Sequence, residues 1–171
     1  MKNIDKHIIL IGFMGSGKSS VGRELAKRLN VKHFDTDEEI EKSEQLSVKE
    51  IFETKGEQYF RQLEKKIFEL TIKASLPAVI STGGGLVLSK NNRELMKDSY
   101  VIFLDTSANE IYNRLKDNKD RPLLNNGKEL TTTITDILGE RQKIYQQIAD
   151  LTVGTDGKQI EQIVDQILSK L

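Results

Sequence analysis

The chain has 171 residues, no cysteine and only two histidines, and its 26 basic and 26 acidic residues give a formal charge of zero. This length suits a single domain covering residues 1–171. The absence of cysteine excludes disulfides, thiol catalysis and thiolate metal sites, and two histidines are too few for an ordinary zinc site. The balanced charge argues against nucleic acid as a partner, and no apolar run approaches the roughly 20 residues of a membrane span, so we expect a cytoplasmic protein.

Short apolar runs alternate with amphipathic segments along the chain. The runs are nearly unbroken in Val, Ile and Leu, which is typical of strands buried on both faces of a parallel sheet. They lie at residues 8–13, 31–34, 78–81, 100–104 and 151–153. The segments between them repeat apolar side chains at helical spacing. The alternation predicts an α/β fold with a parallel sheet of about five strands.

Two regions interrupt this alternation. Residues 36–75 contain two or three predicted helices without a strand, and residues 116–130 are charged and contain an Asn-Asn-Gly turn. Each indicates an insertion beside the sheet, where loops usually carry function. Ser/Thr-x-x-Glu patterns predict helix starts at Thr36, Ser47 and Ser107.

A glycine-rich loop follows the first predicted strand. Residues 12–19 read Gly-Phe-Met-Gly-Ser-Gly-Lys-Ser, match the pattern G-x-x-x-x-G-K-[ST] and precede a predicted helix. Backbone N–H groups of such a loop and the positive end of the helix bind phosphate oxygens. Lys18 is expected to reach the β- and γ-phosphates of ATP and the Ser19 hydroxyl to ligate Mg²⁺. The residues expected to contact ATP here are Gly15, Ser16, Gly17, Lys18, Ser19 and Ser20.

The loop alone does not separate kinases from GTPases and motor ATPases. A GTPase would carry an N-K-x-D motif, and the Asn-Lys-Asp at residues 118–120 has the wrong spacing. A motor ATPase usually has an apolar strand that ends in Asp-Glu, whereas the candidate strands here end in Ser81-Thr82-Gly83 and Leu104-Asp105. These differences favour a small-molecule kinase.

Carboxylates and glycines follow the second and third predicted strands, at the sheet edge where ligands bind in open α/β folds. Asp35 and Asp37 could hold Mg²⁺ and take a proton from an acceptor hydroxyl. The simpler alternative is that Asp and Thr side chains only cap the next helix, and we expect Thr36 to cap it in either case. The three glycines at residues 83–85 would allow a ligand close to the backbone, or form a turn. We favour a role in ligand binding or catalysis for the two aspartates and for the three glycines.

Four arginines are candidates for binding anionic groups: Arg61, Arg114, Arg121 and Arg141. Arg121 lies in the charged insertion, where an arginine on a moving flap suits stabilisation of a transferring phosphate. Arg61 and Arg141 lie on predicted helices, where a single arginine is more often a solvated surface residue.

The chain resembles the shikimate kinase family over essentially its whole length. The resemblance is carried by these motifs in this order: Gly12 to Ser19, Phe34 to Asp37, Phe60-Arg61-x-x-Glu64, Ser81 to Gly85, Arg121-Pro122-Leu123-Leu124 and Glu140-Arg141-x-x-x-Tyr145. It implies ATP-dependent phosphorylation of the 3-hydroxyl of shikimate on the route to chorismate and the aromatic amino acids. It also implies a three-layer P-loop kinase fold with a central five-stranded parallel sheet. A lid at about 116–130 and a helical substrate-binding segment at about 36–64 belong to that fold.

The resemblance also implies roles on the acceptor side. Asp35 helps to hold Mg²⁺ through water, and Asp37 binds the reacting hydroxyl and acts as its base. Arg61 and Arg141 bind the shikimate carboxylate. The substrate-binding glycines are Gly83, Gly84 and Gly85, of which the last two approach the ring hydroxyls.

On the nucleotide side, the resemblance implies that Arg121 closes over the phosphates and joins Lys18 and Asp37 in catalysis, while Arg114 stacks near adenine. The chain departs from the family pattern at Ser20, where threonine is common, and at residues 154–158, which lack a proline that often packs on adenine. We expect a monomer whose partners are ATP and shikimate.

Two alternatives stay open at this point. Another small-acceptor kinase, such as a gluconate or nucleoside monophosphate kinase, would lack the combination of Arg61, three glycines and Arg141. A catalytically silent nucleotide-binding module would be indicated by loss of Lys18, Asp37 or Arg121, and all three are present.

Overall fold

The computed structural model describes residues 4–73, 77–117 and 129–171. Within these ranges five strands alternate with seven α-helices. The strands are β1 (Ile8–Ile11), β2 (Lys32–Asp35), β3 (Ala78–Ser81), β4 (Tyr100–Asp105) and β5 (Leu151–Gly154). The helices are α1 (Lys18–Leu29), α2 (Thr36–Glu44), α3 (Val48–Ile72), α4 (Lys90–Leu95), α5 (Ala108–Leu115), α6 (Leu130–Ile148) and α7 (Ile160–Lys170). All five strands lie at the predicted positions.

The strands form one parallel sheet in the order β2-β3-β1-β4-β5. The side chains of β1, at the centre, alternate between the two faces. Ile8 and Leu10 pack in a cluster with residues of α1 and α7, whereas Ile9 and Ile11 pack with residues of α3 and α6. The sheet is therefore covered on both faces, and the predicted three-layer α/β architecture is confirmed.

The segment after β2 folds as α2 and α3, which pack together around Ile40, Ile51 and Phe60. Gly56 has φ 81° and ψ 169°, a conformation open essentially to glycine alone, and it breaks α3 into two parts. The expectation of two or three helices without a strand is thus confirmed for the described part of this region.

All three predicted helix starts are confirmed to within a residue, and two of the three predicted caps are correct, because the hydroxyls of Ser47 and Ser107 each accept a hydrogen bond from the backbone N–H three residues on. The third cap is wrong. Asp35 rather than Thr36 caps α2, and its Oδ1 accepts a hydrogen bond from the backbone N–H of Asp37 at 3.1 Å. The carboxylate that ends β2 therefore holds the start of α2 as well.

Arg121 and most of the predicted lid lie outside the described residues, which omit 118–128. The flanking helices α5 and α6 pack against each other through Ile111, Leu115 and Ile134. In the parts of the chain that the structure describes, no helix is both long and apolar enough to cross a membrane.

Candidate active site

The glycine-rich loop between β1 and α1 has the backbone that its sequence predicts. Gly12, Gly15 and Gly17 all have positive φ, at 144°, 79° and 92°. Glycine reaches these conformations without steric cost, so the loop can turn its amides inward and lead into the first turn of α1. The Nζ of Lys18 donates to the carbonyl oxygens of Gly12 at 2.9 Å and Phe13 at 2.7 Å. The ammonium group is thus held within the loop, where bound phosphates would compete for it.

The next residue links this loop to β2. The Ser19 hydroxyl donates to Oδ2 of Asp35 at 2.5 Å, while Oδ1 of the same carboxylate caps α2. This pair of oxygen ligands suits Mg²⁺, which usually binds one or two protein groups, substrate phosphates and several waters. Among the described residues no group of three or more His, Cys, Asp or Glu side chains could hold a metal ion. The donor set therefore fits a nucleotide-bound Mg²⁺ better than a cation in an all-protein cage.

A cavity of about 710 Å³ opens beside the loop at the carboxyl edge of the sheet. The residues that line it come from the loop, the end of β2, the segment around α2 and α3, and the end of β3: Met14, Gly15, Gly17, Lys18, Ser19, Ser20, Asp35, Asp37, Glu38, Glu41, Ser47, Val48, Lys49, Thr82 and Gly84. The phosphate loop, both predicted carboxylates and one glycine of the triplet therefore face one space.

The first glycine of the triplet brings two carboxylates together. The backbone N–H of Gly83 donates to the Thr36 hydroxyl at 2.9 Å, which ties the end of β3 to the start of α2. A methyl group on Gly83 would lie 2.8 Å from Oδ1 of Asp37 and still closer to Oε1 of Glu64. Any side chain at this position would displace both carboxylates, so Asp37 and Glu64 face the same point.

The two predicted carboxylate-binding arginines flank the same glycines but differ in their partners. Arg61 pairs with two acids of its own helix, Glu64 at 2.8 Å and Glu57 at 3.1 Å. Arg141 is 5% exposed, and within the described chain its Nε and Nη1 have no hydrogen-bond partner. A methyl group on Gly84 would lie 3.7 Å from Nη1 of Arg141. The structure thus places beside the cavity a buried cation with two donors that no described residue pairs.

Glu64 is the main site residue to which no role was assigned from the sequence. It is 2% exposed, and its Oε1 has no hydrogen-bond partner among the described residues. Burial raises the pKa of Glu64, and the charges of Arg61 and Arg141 oppose that rise. The signal available in the sequence was the spacing of three residues from Arg61, which puts both side chains on one face of α3.

Arg114 lies at the opposite end of the loop from the acceptor side. Its Nη1 donates to the Gly15 carbonyl at 3.1 Å and its Nε to Glu110 at 2.9 Å. Its Nη2 donates to the carbonyl of Thr155, just after β5, at 3.4 Å. These contacts place the guanidinium between the phosphate loop and the segment after β5, on the side where the family resemblance implies adenine.

The phosphate loop and the parallel sheet define a P-loop nucleotide-binding protein. Asp35 and Asp37 beside the loop and the buried Arg141 suit phosphoryl transfer to a small anionic acceptor. The comparisons with known proteins narrow this class. The family model for shikimate kinase matches residues 14–171. The chain is 46% identical over 167 residues to a shikimate kinase of a Sulfurihydrogenibium species, covering 97% of this chain and 98% of the relative.

Two solved structures of shikimate kinases are also similar to this chain. Shikimate kinase from Acinetobacter baumannii in complex with shikimate superposes with a TM-score of 0.91 at 31% identity, covering 96% of this chain and 92% of that one. Shikimate kinase from Aquifex aeolicus gives a TM-score of 0.80 at 39% identity, with 96% and 94% covered. The chain belongs to the shikimate kinase family, and it is an ATP-dependent kinase of the aromatic biosynthesis pathway.

Proposed function

We propose that the chain transfers the γ-phosphoryl group of ATP to the 3-hydroxyl of shikimate and that the residues around the cavity carry this reaction. The observation that carries the proposal is Arg141, a buried guanidinium with two donors unpartnered in the described chain. Burying an unpaired charge is costly, so such a group is best explained by an anionic ligand that pairs with it. The shikimate carboxylate is such an anion, and a planar guanidinium binds carboxylates through two parallel bonds.

The acceptor hydroxyl would then lie near Asp37, one of the residues that line the cavity beside the phosphate loop. In the transfer, the 3-hydroxyl oxygen forms a bond to the γ-phosphorus, and the bond from that phosphorus to the bridging oxygen of ADP breaks. The hydroxyl proton passes to the Asp37 carboxylate. The neighbouring Gly84 and Gly85, without side chains, leave the backbone open to the ring hydroxyls.

On the nucleotide side, Lys18 would exchange the loop carbonyls for the β- and γ-phosphates. Mg²⁺ would be held by the Ser19 hydroxyl and, through water, by Asp35, and it would neutralise charge on the phosphates. Arg114 is positioned to border adenine. Arg121 is proposed as a further cation for the transferring group on resemblance alone, because it lies outside the described residues. We further propose that the protein is a monomer and that it acts in the cytoplasm, where ATP is abundant. Size-exclusion chromatography tests the oligomeric state.

The test measures ADP release with shikimate, gluconate and AMP as separate acceptors, with product identified by phosphorus NMR. We expect turnover with shikimate only, and a phosphate ester at the 3-position. The variant Lys18→Ala serves as the inactive reference, and Lys27→Ala, an exposed lysine on the same helix, as the matched control. Turnover with gluconate or AMP instead would refute the acceptor assignment. ATP binding without turnover on any acceptor would support a silent nucleotide-binding module.

A further inference from the structure

Tyr145 is buried behind the acceptor site, and nothing in the reaction described above uses it. It is 0% exposed, lies on α6 four residues after Arg141, and stacks on Phe103 of β4 with ring centroids 5.1 Å apart. A spacing of four residues puts Tyr145 and Arg141 on the same face of the helix. Its hydroxyl is therefore held at a fixed place in the core, directly beside the buried guanidinium.

The hydrogen bond of this hydroxyl has a defined direction. Tyr145 Oη donates its single proton to the Gly84 carbonyl at 2.6 Å. The positive charge of Arg141 also acts on Tyr145, because it lowers the pKa of the phenol. Since a guanidinium has only donors, it can interact with the phenol only through the acceptor side of the oxygen. The Tyr145 hydroxyl is thus bonded to Gly84 and lies within the influence of the Arg141 guanidinium.

The acidity of Tyr145 agrees with this direction. Burial raises the pKa of Tyr145 to about 12, although the charge of Arg141 acts to lower it. The hydroxyl consequently keeps its proton throughout the neutral range and remains a donor to Gly84. It acts as a fixed link and takes no part in proton transfer.

The link sets the orientation of a peptide group at the site. The Gly84 carbonyl and the Gly85 N–H belong to one peptide, and no described peptide bond is cis. In a trans peptide these two groups point in opposite directions. With the carbonyl held toward the buried ring of Tyr145, the Gly85 N–H points away from Tyr145.

We propose that Tyr145 is a positioning residue that sets shikimate affinity by fixing Arg141 and the Gly84–Gly85 peptide relative to each other. The inference rests on the proposed function, since it requires that these two groups bind the acceptor. Substrate would then meet a guanidinium and a backbone donor that are already aligned, without the cost of ordering them on binding. The phenol itself touches neither ATP nor the reacting atoms.

The test compares Tyr145→Phe with wild type and with Tyr100→Phe. The control removes the same atom from a tyrosine at the start of β4, at the opposite edge of the sheet. Wild-type turnover on shikimate is measured first, and its absence would refute the proposed function rather than this inference. Given that turnover, we expect Tyr145→Phe to raise the KM for shikimate about tenfold and to leave the KM for ATP within about twofold.

Two further measurements separate positioning from a merely structural role. The rise in melting temperature that shikimate causes is recorded for each variant, and it should shrink in Tyr145→Phe and persist in Tyr100→Phe. In the background of Arg141→Lys, the effect of Tyr145→Phe on the KM for shikimate should fall to about threefold or less, because the two residues act as one unit. An unchanged KM for shikimate, equal rises in both KM values, or full additivity with Arg141→Lys would each overturn the inference.

Discussion

Replacing Arg141 tests the acceptor site most directly. Arg141→Met keeps the apolar stem and most of the volume but removes the guanidinium, whose Nε and Nη1 have no partner among the described residues. A hydrogen bond to a charged group contributes about 1.5–3 kcal/mol. Since each 1.4 kcal/mol corresponds to about a tenfold change in affinity, the loss of one such bond should raise the KM for shikimate roughly 10- to 150-fold. Arg141→Lys should recover little of this, because a point charge cannot form the two-pronged contact.

The same variant should leave the fold intact. A buried cation with unpartnered donors contributes little net stability, and apolar replacements of buried charges are often neutral or stabilising. We therefore expect the melting temperature of ligand-free Arg141→Met to remain within a few degrees of wild type or to rise. For a domain of this size, a change of 1 kcal/mol shifts that temperature by about 2–4 °C.

The assay determines KM for shikimate and Kd for ATP in parallel, with Lys143→Met as control because Lys143 is exposed on the same helix. The Kd for ATP should not change in any of these proteins. The methyl ester of shikimate probes the contact from the ligand side, and wild type should use it poorly while Arg141→Met discriminates less between ester and acid. Equal use of ester and acid by wild type would show that the carboxylate is not recognised.

The remaining predictions concern the phosphate loop, the carboxylate pair and a packing contact behind them. Lys18→Ala should abolish turnover, because it removes the cation held beside the phosphate site, and residual activity above about a tenth of wild type would contradict that role. Asp37→Asn should lower kcat severely while ATP still binds, whereas Asp35→Asn should raise the Mg²⁺ requirement. If added Mg²⁺ restores the activity of Asp37→Asn more than that of Asp35→Asn, the roles of the two aspartates are reversed. Gly22→Ala should lower the melting temperature by several degrees, because its methyl group would lie 2.6 Å from Nε2 of His33 and overpacking costs about 1–3 kcal/mol. An unchanged melting temperature would show that the neighbours move aside freely.

The nucleotide side of the site could be predicted from the sequence because its geometry is local. The positive φ values of Gly12, Gly15 and Gly17 and the start of α1 directly after them lie within one short segment, so a motif of eight residues specifies them. The strands were equally predictable, since side chains buried on both faces leave continuous apolar runs.

The cap of α2 was predicted wrongly for a reason that lies outside any local pattern. Thr36 has the spacing of a capping residue, but its hydroxyl accepts a hydrogen bond from Gly83, which is 47 residues away in the sequence. Asp35 takes over the cap with one oxygen and receives the Ser19 hydroxyl with the other. A scan for Ser/Thr-x-x-Glu cannot weigh a local bond against a partner that only the sheet brings near.

The acceptor side depends on topology to a still greater degree. Asp37, Glu64, the glycine triplet and Arg141 come from four separate segments and meet only because β2 and β3 are neighbours and α3 and α6 cover the same face of the sheet. In composition alone, Arg141 is indistinguishable from a surface arginine. Its 5% exposure and its two unpartnered nitrogens within the described chain are properties of the packed molecule. The two Arg141 nitrogens and Oε1 of Glu64, which have no hydrogen-bond partner among the described residues, lie beside the glycine triplet, so the cost of leaving them unpaired is concentrated where shikimate is proposed to bind. Such a site binds most tightly a ligand that forms hydrogen bonds with all of these atoms together. A ligand that lacks the carboxylate leaves the Arg141 nitrogens unpaired, so part of the free-energy cost of burying them remains.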